Sequence, residues 1–94
     1  MMTRWDWRFV RHLPDASPSV RLVSASDKLF NARAILRDYR TIGEPLWGRF
    51  NAPKGEILWY YRALVQAFRK AGATPLVEEL DQVVSELERV AINA

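Results

Sequence analysis

The chain has 94 residues, of which 49% are hydrophobic and 27% charged, the composition of one folded domain able to bury a single core. It has no cysteine, which excludes disulfide, iron–sulfur and thiolate–metal chemistry. Its net charge of +3 is unevenly spread: residues 1–73 carry 13 Lys/Arg against 6 Asp/Glu (+7), and residues 74–94 carry 1 against 5 (−4).

No apolar run reaches the roughly 18–20 residues that span a membrane, and the opening MMTRWDWRFVRHL lacks a signal-peptide core. The sequence therefore reads as a soluble, cytoplasmic protein with no membrane contact. The +7 body suggests phosphates or nucleic acid as partners. The preferred reading of the same asymmetry is an acidic last helix that packs on the basic part, within the chain or across a dimer, and with no recognition motif present nucleic acid is not expected. Eleven aromatic residues, four of them Trp, are many for this length. Some are expected to be buried against another subunit.

Every periodic stretch is helical; none alternates as a strand does. Thr3 followed by Asp6 resembles a capping box and predicts a short helix ending near His12, before Leu13-Pro14. Ser17-Pro18 is an N-cap with proline at the first helical position, and predicts a long helix from Pro18 to about Ile42 with Gly43 as its stop. On a helical wheel Val20, Val23, Asp27, Phe30, Asn31 and Ala34 share one face. Leu22, Ala25, Leu29, Ala32 and Leu36 share the opposite one. Two apolar faces predict a central helix covered on both sides, with Asp27 among apolar neighbours. A buried carboxylate there needs a compensating partner or ion.

EPLWGRFNAPKGE reads as a loop with one helical turn at 46–49, pinned by Trp47 and Phe50. A third helix is predicted from Lys54 to Ala71, with Ile57, Tyr61, Leu64, Val65 and Phe68 inward and Gly72 closing it. Thr74-Pro75 repeats the cap-then-proline opening for a fourth helix, whose stripe is Leu76, Leu80, Val83, Val84, Leu87, Val90 and Ala91. Trp59, Tyr60 and Tyr61 read as core and interface rather than a base-stacking platform. The expected fold is all-α: one domain over residues 1–94, with three main helices and a short leading one.

VRLVSASDKLFNARAILRDYR, followed by LWGRFN and LWYYRALVQAF, resembles the C-terminal half of an HD-type metal-dependent phosphohydrolase, in the branch related to RelA/SpoT-type (p)ppGpp pyrophosphohydrolase domains. The resemblance covers roughly residues 5–92 and implies a partial HD-like helical bundle. In that family an early His, a His-Asp dipeptide and a late Asp hold a divalent ion (Mn, Fe or Mg) that activates water. By this resemblance Asp27 matches the late metal ligand. Lys28, Asn31 and Arg33 match residues near the substrate.

The sequence departs from the family at two points. Phe30 stands where the family has a histidine, and the early His and His-Asp pair have no counterpart, since the sole histidine is His12 and Leu13 follows it. One carboxylate and one amide are too few donors for a stable metal site. No catalytic residue and no cofactor are therefore assigned to this chain alone. The expectation is a truncated or degenerate HD-type protein without hydrolase activity by itself. Its partner is expected to be another copy, in a homo-oligomer, or a complementing helical chain. Two alternatives stand beside it: a homo-oligomeric helical interaction module, and one half of a nucleotide pyrophosphohydrolase completed by a second polypeptide.

Overall fold

A computed structural model describes residues 13–50 and 52–92. The expected helix from Thr3 to His12 lies outside these residues. The described chain is all-α, with no strand: a 3-10 turn at Leu13–Asp15, helix α1 at Pro18–Ile42, a 3-10 segment at Glu44–Arg49, helix α2 at Lys54–Ala71 and helix α3 at Pro75–Ile92. No helix among the described residues is long and apolar enough to cross a membrane.

The helix ends are set by local chemistry. The Ser17 hydroxyl accepts the Val20 N–H at 3.3 Å, capping one of the donors left open at the start of α1. At the other end Gly43 adopts φ 72° and its N–H returns to the Tyr39 carbonyl at 2.7 Å. A side chain is disfavoured in that left-handed conformation, so glycine is the residue that lets α1 stop there. The Thr74 hydroxyl accepts the Val77 N–H at 3.2 Å and opens α3.

The central helix is α3, not α1. It packs against α1 on one side and α2 on the other, while α1 and α2 barely touch. Leu80, Val84, Leu87 and Ala91 on α3 are wholly buried, and so are Ala32 on α1 and Ile57 and Leu64 on α2. Ion pairs on both flanks fix the directions. Arg33 pairs with Glu79 and Arg40 with Glu86, a constant offset that makes α1 and α3 parallel. Arg62 reaches Asp81 and Glu88, Arg69 reaches Glu78 and Asp81, and Lys54 Nζ donates to the Ala91 carbonyl at 2.7 Å, so α2 runs antiparallel to α3. All five carboxylates of α3 are thus engaged by arginines of the two helices it separates. The acidic segment packs on the basic body, as its composition suggests.

The expectation that α1 is covered on both faces is corrected. Its buried residues are Ala25, Leu29, Ala32, Ile35, Leu36 and Tyr39, all toward α3 and the loop. On the other face Val20, Val23 and Phe30 are 51%, 69% and 72% exposed. The reason is geometric: both other helices lie on the same side of α1, and the two-sided pattern does not say which side acquires a neighbour. Leu22, expected inward, is also exposed, because it lies beside an apolar cleft of about 300 Å³ between the start of α1, the end of α2 and the start of α3. The loop matches its reading: Trp47 is buried and stacks obliquely on Tyr39 and Phe50, at centroid distances of 5.6 and 6.2 Å.

Candidate functional site

The residues singled out on α1 start from Asp27. Its side chain is 60% accessible, and two neighbours approach it: the Asn31 amide, one turn on, donates to Oδ2 at 3.4 Å, and the Lys28 ammonium stands 3.7 Å away. Asp27 lies on the apolar stripe as its spacing requires, but that stripe faces water. The expectation of a buried carboxylate that needs compensation is therefore corrected. Solvent reaches the charge, so no large desolvation cost arises.

The four family-matched residues do not converge. Asp27 and Asn31 meet on the outer face. Lys28 leans inward, with only 13% of its side chain accessible and its ammonium 6.0 Å from the Tyr60 ring centroid, at the edge of cation–π range. Arg33 turns to α3 and pairs with Glu79. Among the described residues no group of three or more His, Cys, Asp or Glu is placed to hold a metal ion. The donor set at Asp27 is one carboxylate and one amide oxygen, which does not fit a bound divalent ion. On the far side of Asn31 a shallow cleft of about 250 Å³ opens between α1 and the loop, lined also by Asp38, Arg49, Phe50 and Tyr61. Arg49 pairs with Asp38 there at 3.3 Å.

Two polar groupings escaped the sequence reading. Arg62 donates to Asp81 at 2.7 Å, to Glu88 at 2.8 Å and to the Ser85 hydroxyl at 3.0 Å. Those bonds, from Glu88 first and then Asp81, raise the Arg62 pKa. The same two arginines, Arg62 and then Arg69, hold the Asp81 carboxyl down at about 2. Glu44 receives the Tyr39 hydroxyl at 2.5 Å and lies 3.3 Å from the Lys54 ammonium. The Tyr39 bond depresses the Glu44 carboxyl and raises the phenol. Neither had a signal in the sequence, since net charge alone does not choose partners. The outer stripe of α1, read from the sequence as far as Ala34, continues at the same spacing to Arg37 and Thr41, both exposed.

No protein-family model and no curated protein matches the chain.

What this surface can do chemically is limited. Among the described residues, Asp27 is an open carboxylate with one amide and one ammonium beside it. The apolar side chains around it are suited to contact with another apolar surface.

Proposed function

We propose that the chain is a non-catalytic helical interaction module that binds through the outer face of α1. One observation carries this reading. On the longest helix, opposite the side that builds the core, Val20, Val23 and Phe30 stand 51%, 69% and 72% exposed in one line. Large apolar side chains aligned in water mark a contact surface. The likeness of this helix to the metal-bearing helix of HD-type phosphohydrolases then describes where its sequence comes from. Its present use is contact, consistent with an Asp27 that lacks converging donors. Nucleic acid is a poor fit, because Arg33, Arg40, Arg62 and Arg69 are already engaged by carboxylates of α3.

The test is calorimetric titration with Mn2+ and with Fe2+, alongside an assay for hydrolysis of nucleotide pyrophosphates. The expected result is no stoichiometric metal and no turnover. One bound ion per chain, with turnover abolished by Asp27→Ala, would overturn the proposal.

A second reading is one half of a metal-dependent nucleotide pyrophosphohydrolase completed by another chain. It is favoured by the accessible Asp27–Asn31 pair beside the polar cleft at Asp38 and Arg49. Hydrolysis that requires Asp27 and appears only on mixing with a chain bearing the missing His and His-Asp helices would establish it.

A further inference from the structure

Resting on the interaction reading above, the geometry points to a second copy of this chain as the partner, seated antiparallel along α1 in one defined register.

The outer face has the periodicity of a helix-pairing seam. Val20, Val23, Asp27, Phe30, Ala34, Arg37 and Thr41 follow one another at alternating intervals of three and four residues. That is the spacing by which one helix keeps a continuous strip against another. At about 100° per residue the strip lies opposite Ala25, Leu29, Ala32 and Leu36, which build the core. A helix docked on the strip therefore meets neither α2 nor α3.

Two seam positions are charged and of opposite sign, and they select the pairing. Asp27 is 60% accessible and Arg37 is 74% accessible. Each has one neighbour of opposite charge on its own helix, Lys28 at 3.7 Å from Asp27 and Asp38 at 3.3 Å from Arg37, which leaves most of each side chain open to a partner. In a parallel, in-register pair Asp27 would meet its own copy and Arg37 its own copy, two like-charge contacts. In an antiparallel pair whose two-fold axis is level with residue 32, Asp27 meets Arg37 of the partner subunit, and the symmetry makes that contact twice. The same register sets Phe30 against Ala34 of the partner subunit, a large side chain against a small one. It also sets Val23 against Thr41 of the partner subunit, giving a paired length of about 27 Å at 1.5 Å per residue. Sliding the pair by one seam layer toward the N-terminus presses Asp27 against the ring of Phe30, and sliding it the other way removes Arg37 from Asp27. The charges thus fix register as well as direction.

Sedimentation equilibrium across a concentration series tests this with Asp27→Arg, Arg37→Asp and the double variant. The wild type is expected to dimerise. Each single reversal replaces two attractive contacts with two repulsive ones and should weaken the dimer about tenfold or more. Association should return to near the wild-type level in the double variant and in an equimolar mixture of the two single variants, because both restore Asp–Arg contacts. Orientation is read separately from a spin label at Ser19→Cys, an exposed position in a chain without other cysteines. The antiparallel register places the two labels about 39 Å apart, whereas parallel pairing places them about 10 Å apart. A monomer at every concentration, with metal and turnover still absent, overturns the second copy and leaves the interaction reading standing. A dimer indifferent to the charge reversals, or a label distance near 10 Å, overturns the register. Metal binding with Asp27-dependent turnover overturns the reading beneath both.

Discussion

Replacing Asp81 by Asn should cost the fold stability in a pH-dependent way. Asp81 lies between α2 and α3, accepting from Arg62 at 2.7 Å, from Arg69, and from the Ser85 hydroxyl at 3.1 Å. The arginine bonds depress its carboxyl from 3.8 to about 2, against a smaller opposing effect of burial. At about 1.4 kcal/mol per pKa unit that difference corresponds to roughly 2.4 kcal/mol without screening. The side chain is 24% exposed, so solvent screening reduces the expected loss to about 1–2 kcal/mol. Because the folded-state value is the lower one, the stabilisation is complete above the unfolded value near 3.8 and disappears as pH falls through about 2. Urea unfolding of the wild type and of Asp81→Asn, compared at neutral pH and at steps down to the folded-state value, reads the gap directly. It should be full at neutral pH, narrow below about pH 4 and close near pH 2. A gap that keeps its size at every pH, or none at neutral pH, would refute the assignment of the shift to these arginines.

Other perturbations separate core, caps and loop. Leu87→Ala empties a position with 0% exposure on the central helix and should cost about 2–5 kcal/mol in denaturant unfolding. Ser17→Ala removes the hydroxyl that caps α1 and should cost about 1 kcal/mol by the same measure, with no change in oligomeric state. Glu44→Gln removes the carboxylate that receives the Tyr39 hydroxyl, so a phenol titration followed by ultraviolet absorbance should move down toward 10.0.

The helix boundaries were legible because their determinants are local. Ser17-Pro18, Gly43, Gly72 and Thr74-Pro75 act on the nearest turn of backbone: α1 begins and ends, α2 ends and α3 begins where those residues direct. The inward stripes of α2 and α3 were legible for a related reason, since a single apolar face leaves one choice. On α1 two apolar faces compete, and periodicity carries no information about which of them meets a neighbour. Ile35 and Tyr39, assigned to neither face, turn out buried, and Asp27 turns out wet. The central place of α3 was hidden in the charges: the −4 segment lies between two basic helices, but only the fold pairs Glu79 with Arg33 and Asp81 with Arg62. At the candidate site the sequence pattern brings Asp27 and Asn31 together, one turn apart. It does not foresee that Arg33 turns to α3, because that depends on where another helix packs.

The outer face of α1 as a contact surface is probed at its middle by Phe30→Asp. Phe30 is 72% exposed, so the change should leave the melting temperature of the folded chain almost untouched while placing a charge in the middle of the strip. Sedimentation equilibrium should then show association at micromolar concentration for the wild type and a monomer for Phe30→Asp, both equally folded by circular dichroism. A dimer of equal strength in the wild type and in Phe30→Asp would show that this face makes no contact.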